Sequence, residues 1–240
     1  MLVFENVFAG YGKQTVLRDV SQDIQLGGIS AIVGPNGHGK STLMGTISGM
    51  IAVQAGRITF QGNDITSLSP QARLAQGIVH VPQGDRLFPV MTVEENLLIG
   101  GTILNDHRKR NEQFDWVMQL MPAVAERKNR LCSGLSGGER RLVGIARGLM
   151  TGCKFMMLDE PSLGLSPIAV EGVYKIISKL AAQDYSFLII EENLDRVYDV
   201  ARHLMFLENG QIEWSGAAAD LKTGGRNLKK FLGGDDVSVR

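Results

Sequence analysis

The stretch ISAIVGPNGHGKSTLMGTISGM, residues 29–50, decides the fold. It opens on an apolar run, Ile29 to Val33, and closes on a stretch with helical apolar spacing. Between them Gly34, four further residues, Gly39, Lys40 and Ser41 have the spacing of a loop that cradles phosphate. Glycines let successive backbone N–H groups converge on phosphate oxygens, and the start of the following helix adds its positive end. Lys40 is placed to reach the terminal phosphates and Ser41 to offer a hydroxyl to Mg²⁺. Gly34, Pro35, Asn36, Gly37, Gly39, Lys40, Ser41 and Thr42 are therefore candidate nucleotide-binding residues. His38 stands at a variable position and is expected to be a tolerated surface side chain.

Outward from this loop, the alternation of elements gives the class. The first 65 residues hold strand candidates punctuated by glycine turns: LVFENV, the turn AGYGK, ISAIVG and GRITFQGND. From Thr92 to about Arg130 the pattern is helical, with Val93, Leu97 and Leu98, then Phe114, Val117, Met118 and Met121 recurring three and four apart. The polar NDHRKRNEQ separates two helices there. After Leu142, helices and apolar strands alternate through LVGIARGLM, KFMMLDEP, AVEGVYKIISKLAA, YSFLIIEEN, LDRVYDVARHLM and FLENGQIEWSG. Runs such as FMML and FLII, apolar at every position, are what strands covered on both faces by helices require. The expected class is α/β with a mostly parallel central sheet.

Bulk properties narrow the partners. The 240 residues, 44% hydrophobic, suit one sizeable domain with one or two appended subdomains. Lys and Arg total 25, as do Asp and Glu, so no net field steers the chain to nucleic acid or an anionic membrane. Cys132 and Cys153 form no CxxC pair, and no signal-peptide pattern opens the chain; buried thiols in a reducing cytosol are expected. No apolar run approaches the roughly 18 residues that cross a bilayer, so membrane association is expected through a partner. The last six residues, DDVSVR, are expected to fray.

KFMMLDEP places Asp159 at the carboxyl end of a buried strand, where open α/β sheets hold their ligands. Asp159 can complete the Mg²⁺ shell there, and Glu160 can orient or deprotonate an attacking water. An isolated Asp-Glu pair also fits a solvated strand end. Beside a phosphate loop, the two motifs together indicate Mg²⁺-dependent nucleotide hydrolysis. A third stretch, LSGGERRLVGIARGLM at residues 135–150, leads from Ser136, Gly137 and Gly138 into a helix with Leu142, Ala146 and Leu149 on one face. It is a second helix start with exposed backbone donors. A single nucleotide site has no obvious use for both ends, which suggests that this one serves a site on another chain.

With these three motifs in order, the chain resembles the ATPase subunit of ABC transporters over nearly its whole length. GPNGHGKST and MMLDEP match that family's Walker A and Walker B segments, and LSGGE its signature. The resemblance implies a P-loop NTPase (RecA-like) fold with an antiparallel β subdomain and a helical subdomain. Residues 1–91 and 150–216 would form the ATP-binding core, 92–149 the helical subdomain, and 217–240 a C-terminal helix and tail. It further implies that Tyr11 stacks on adenine and that Gln83 links Mg²⁺ and the attacking water to the transmembrane partner. Leu135, Ser136, Gly137, Gly138 and Glu139 would contact ATP across a dimer, and SLGLSP, residues 162–167, would be the loop crossing it. Phe88, Met91 and Val93 would form the groove for a short permease helix.

Within the family, VPQGDRLFPVMTVEENLLIG, PSLGLSP and KKFLGG look most like the second ATPase of branched-chain amino acid importers. The close of the chain also resembles ATPases of lipopolysaccharide extraction. The implied ligands are ATP and Mg²⁺. The implied partners are permease subunits, a second ABC ATPase and, indirectly, a solute-binding protein, with no nucleic acid. The implied location is peripheral, on the cytoplasmic side of the membrane. Chromosome-organising relatives need a long coiled coil for which the segment between Gln83 and Leu135 is too short, and a kinase or GTPase would leave LSGGE unexplained.

The chain departs from the family at FLIIEEN. Where most members carry a histidine that contacts the γ-phosphate, counting along the strand arrives at Glu192. A carboxylate about 4 Å from a phosphate charge costs on the order of 4 kcal/mol at an effective dielectric of 20. Glu192 is therefore expected to point away or take up a proton. Ser166, where the crossing loop usually has an aspartate, points the same way, toward a Walker A site weaker than its partner's. Glu191 is expected to be an ordinary strand-end acid. Asn193 is expected to cap a helix carrying Val197, Val200, Ala201 and Leu204.

Overall fold

Residues 1–84 and 86–223 are described in a computed structural model of the chain. Two long strands, β1 (Leu2–Tyr11) and β2 (Gln14–Ile24), open it as an antiparallel pair. β3 (Gly28–Val33) then leads through the phosphate loop into α1 (Lys40–Ser48). β4 (Val53–Phe60) and β5 (Asn63–Asp64) return to β1 and complete a four-stranded antiparallel sheet, ordered β2-β1-β4-β5. After α2 (Pro70–Ala75) and β6 (Ile78–Val81) come four helices: α3 (Val93–Gly100), α4 (His107–Leu120), α5 (Pro122–Ala125) and α6 (Gly137–Leu149). β7 (Phe155–Asp159), α7 (Pro167–Ala181) and β8 (Ser186–Glu191) follow. The hairpin of β9 (His203–Glu208) and β10 (Gln211–Ala217) precedes α8 (Ala218–Thr223).

The second sheet has the order β10-β9-β3-β8-β7-β6, and every neighbouring pair is parallel except β9 with β10. Every residue of β3, β7 and β8 is buried, as their continuous apolar runs require. The period of two sorts their side chains between two cores. Ala31, Val33, Phe187 and Ile189 face a core shared with Val143 and Ile145 of α6 and Val173 and Ile177 of α7. Ile32, Leu188 and Ile190 face another, shared with Leu43 and Ile47 of α1 and Phe4, Leu17 and Ile58 of the antiparallel sheet. Helix α1, which carries Lys40 and Ser41, is thereby clamped between the two sheets.

Two local expectations are corrected. NDHRKRNEQ does not separate helices along its whole length: Asp106 caps α4 by accepting from the Arg108 N–H at 2.8 Å, and residues 107–113 lie inside the helix. Their polarity belongs to its solvent face, where Arg108 pairs with Glu112 one turn on at 2.9 Å. Asn193 does cap, accepting from the Asp195 N–H, but only a single 3₁₀ turn, Leu194–Arg196. The expected helix ends there because the chain must extend to place His203 to Phe206 beside Ser30 to Val33. Strand pairing overrides the helical spacing, and Leu204 belongs to β9. Of the expected C-terminal helix and tail, α8 covers Ala218–Thr223; KKFLGG and DDVSVR lie outside the described residues.

His80 in β6 has both ring nitrogens shielded from solvent with no hydrogen-bond partner. Burial pushes its pKa from an ordinary 6.5 down to about 4. The folded chain thus holds a neutral imidazole where the unfolded chain takes up a proton. Stability present above pH 6.5 is therefore lost as pH falls toward 4, by about 3 kcal/mol in total. Denaturant unfolding at pH 7.5 and 4.5 should show a smaller loss in His80→Leu than in the unsubstituted chain.

Candidate functional site

The phosphate loop leaves β3 at Val33, and Gly34 passes against β9. A Cβ on Gly34 would lie 2.0 Å from the Leu207 carbonyl oxygen, so no side chain fits. Gly39 caps α1 at φ 105°. Lys40 is buried, and its Nζ donates to the carbonyls of Gly34 at 2.7 Å and Pro35 at 3.0 Å, with Asn36 Oδ1 at 3.5 Å. Burial pushes the ammonium pKa down, against the opposing pull of Glu160, Glu192, Asp159 and Glu191 in turn. Pro35, Asn36 and Gly37 are exposed along the loop, whereas Thr42 is buried in α1. His38 is more than a surface side chain. Its carbonyl accepts from Gly210 N–H at 3.0 Å and its Nδ1 from Asn209 N–H at 3.2 Å, tying the loop to the β9–β10 turn.

Asp159 ends β7 beside this loop, and Ser41 Oγ lies 3.4 Å from its Oδ1. Burial pushes the Asp159 carboxyl pKa up. A hydroxyl and a desolvated carboxylate side by side suit a hard divalent cation that keeps its other ligands from phosphate and water, so the donor set fits Mg²⁺. Glu160 follows in the left-handed region at φ 48°, which a non-glycine residue occupies only when its surroundings enforce it. Its N–H donates to Ile190 O at 3.0 Å, and its Oε2 accepts from Nε2 of exposed Gln83 at 3.2 Å. Burial first, then the Asp159 charge, pushes Glu160 up; Glu191 and Glu192 add to it.

Glu191 is no ordinary strand-end acid. It is 3% exposed and accepts three hydrogen bonds: Ser162 N–H at 3.1 Å, Ser162 Oγ–H at 2.9 Å and Tyr174 Oη–H at 2.8 Å. The only hint in the sequence was its place as the last residue of an apolar run. Glu192 is exposed but remains within electrostatic reach of Lys40 and Glu160, so it does not leave the site. Ser166 caps α7, accepting from Ala169 N–H. Tyr11, 58% exposed at the end of β1, is free to offer its ring face.

The second helix start is α6. Ser136 and Glu139 form a capping box: Ser136 Oγ accepts from Glu139 N–H at 3.3 Å, and Glu139 Oε2 from Ser136 N–H at 2.7 Å. The Ser136 N–H bond, with help from Arg127, holds the Glu139 carboxyl at about 2. This box consumes two donors and leaves the N–H groups of Gly137 and Gly138 without an acceptor among the described residues. Leu135 is buried in the core and anchors the stretch. The expected docking residues divide likewise: Val93 is buried in the core, Met91 is half-buried and Phe88 is 47% exposed, close to Val90, which is 82% exposed. Among the described residues no helix is long and apolar enough to cross a membrane.

A glycine loop at the carboxyl end of a parallel sheet, facing a strand-end Asp-Glu pair, defines a P-loop NTPase. Residues 17–163 match the family model described as ABC transporter. The chain is 36% identical over 234 residues to the high-affinity branched-chain amino acid transport ATP-binding protein BraG of Pseudomonas aeruginosa, covering 98% of this chain and 100% of that one. It is 32% identical to the lipopolysaccharide export system ATP-binding protein LptB of Haemophilus influenzae, covering 97% of each. The ADP conformation of MJ1267, an ATP-binding cassette of an ABC transporter, superposes with a TM-score of 0.86 at 31% identity, covering 98% of this chain and 99% of that one. The chain belongs to the ABC transporter family, as one of its ATP-hydrolysing cassettes.

Gly138 packs against the start of α7: a Cβ there would come within 2.7 Å of the Ala169 Cβ. Overpacking of this kind costs about 1–3 kcal/mol or displaces the helix end. Gly138→Ala should lower ATP turnover, and adding Ala169→Gly should restore most of it. Equal turnover in the single and double variants would show that the contact is not what demands glycine.

Proposed function

We propose that the cassette drives import of branched-chain amino acids or a related small polar solute, docked on the cytoplasmic face of a permease and paired head to tail with a second ABC ATPase. One observation carries the pairing. The chain holds a phosphate loop with its carboxylates and, separately, a helix start whose Gly137 and Gly138 N–H groups have no acceptor among the described residues. Each ATP then lies between Gly34 to Thr42 of one cassette and Ser136 to Glu139 of the other. The likeness to BraG over both whole lengths supports the import reading above lipopolysaccharide extraction, and a solute-binding protein and the permease then choose the solute.

In this reading Tyr11 stacks on adenine and Lys40 exchanges the Gly34 and Pro35 carbonyls for the terminal phosphates. Ser41 and Asp159, with Gln83, would hold Mg²⁺, which neutralises charge developing on the phosphates when bound. Glu160 positions or deprotonates the attacking water, with Gln83 holding its carboxylate. ATP contacts both cassettes only when they close, so binding favours the closed pair and loss of the γ-phosphate releases it. Glu192 sits where a cation-like donor would serve better, making this site the slower of two unequal ones.

In the assembled transporter, Glu192→His should raise ATP turnover, whereas Glu160→Gln should remove only this site's share of it. Complete loss of turnover from Glu160→Gln alone would rule out the weaker-site assignment. Phe88→Asp places a charge on the exposed docking segment and should lower solute uptake into vesicles while leaving ATP affinity unchanged. Equal loss of both would remove the docking role. Copurification of membrane proteins with the intact cassette, followed by uptake assays with leucine and with other solutes, tests the substrate class.

A further inference from the structure

We propose that Glu191 is a positioning residue for hydrolysis, holding the turn that aims Glu160. The proposal rests on the assignment of Glu160 to the attacking water. Three buried side chains from three elements meet at Glu191: Ser162 from the turn after β7, Tyr174 from α7 and the carboxylate itself at the end of β8, exposed by 5%, 7% and 3%. Oε1 takes the Ser162 N–H and the Tyr174 hydroxyl, and Oε2 takes the Ser162 hydroxyl. A carboxylate, an acceptor at both oxygens, satisfies all three donors at once.

The geometry ties this cluster to Glu160. Its left-handed backbone is held before and after: Glu160 N–H donates to Ile190 O, and Leu163 N–H donates to Glu160 O at 3.1 Å. Ser162, inside that turn, is pinned to Glu191, the residue next to Ile190. Residues 190 and 191 therefore staple both sides of Glu160 to the end of β8. A strained conformation persists only where its surroundings over-determine it, and this staple supplies the constraint. The cluster adds a buried carboxylate to a site already crowded by Asp159, Glu160 and Glu192. Such a placement opposes stability and is characteristic of function. The same bonds fix the start of the segment through Leu163 and Ser166 that leads into α7, where Leu163 and Ile168 are exposed.

Steady-state ATP hydrolysis by the full chain, with ATP affinity measured in parallel, tests the assignment. Glu191→Ala should lower kcat roughly tenfold or more, with KM for ATP changed by less than about twofold, because an interaction needed only for the chemical step is lost. Glu191→Gln should recover to within about threefold of the unsubstituted chain. Its amide oxygen can keep the Ser162 N–H and Tyr174 bonds while its amine donates to a rotated Ser162 hydroxyl. Should Glu191→Ala not fold, the pair Ser162→Ala and Tyr174→Phe, which leaves one bond of three, should still lower kcat with KM unchanged. Glu160→Gln must itself lower turnover, and Glu191→Ala added to it should cost little more. Full turnover in the Glu191→Ala chain, equal damage from Ala and Gln, or an undiminished loss on the Glu160→Gln background overturns the positioning role while leaving Glu160 in place. A Glu160→Gln chain with turnover equal to that of the unsubstituted chain removes the underlying reading and the proposal together.

Discussion

The structure turns on the registration of three parallel strand ends. β3, β8 and β7 are adjacent, with Val33 beside Glu191 and Asp159 beside Ile190. The phosphate loop begins one residue beyond the first pair, and Glu160 follows immediately after the second. Because side chains alternate with a period of two, slipping any of these strands by one residue would exchange the two cores and carry the carboxylates away from the loop. The burial of all three strands on both faces makes such a slip costly. Site precision is thus inherited from core packing rather than from the loop itself.

That precision concentrates charge. Lys40 is the cation that Glu160, Glu192, Asp159 and Glu191 all pull upon, and its own burial works against its charge. Asp159, Glu160 and Glu191 are each pushed up, in every case by burial before any other cause. Carboxylates gathered around one buried cation also repel one another. On the proposed reading, a divalent cation held by Ser41 and Asp159 would lower that cost, whereas a triphosphate alone would raise it. Glu191 is set apart from the other three by its donors, which commit its charge to holding backbone.

Most of this was legible in the sequence wherever a pattern had one physical solution. The phosphate loop, the strand-end pair at Asp159 and Glu160, and the fully apolar strands could be read because glycine spacing and two-sided burial leave few alternatives. The stretch after Asn193 was misread because helical spacing of Val197, Val200 and Ala201 is also compatible with one turn and a buried connection, and pairing of β9 to β3 lies beyond local pattern. Glu191 was missed for a related reason. Its partners, Ser162 and Tyr174, stand 29 and 17 residues away, and only the crossing of α7 over the sheet brings them to it. His38 was misjudged because its tether, the Asn209-Gly210 turn, lies 171 residues on.

The segment proposed to dock and the stretch at Leu135–Glu139 are parts of one hydrogen-bonded unit, which bears on how a permease could influence a cassette. Asn96, fully buried in α3, holds Phe88 at both backbone groups: Oδ1 accepts its N–H at 2.9 Å and Nδ2 donates to its carbonyl at 3.1 Å. Pro89 O then accepts from Ser133 N–H and Met91 O from Cys132 N–H, at 3.0 and 2.9 Å. Leu135 follows two residues later, buried, and delivers Ser136 to the start of α6. The hydrogen bonds at Phe88, Pro89 and Met91 thus join the exposed segment to the turn that precedes Gly137 and Gly138. In the proposed head-to-tail arrangement the N–H groups of Gly137 and Gly138 would face the nucleotide of the other cassette. Force applied at one chain's docking segment would then be felt first at its partner's ATP, and the slower site would be governed by the permease contact of the faster chain.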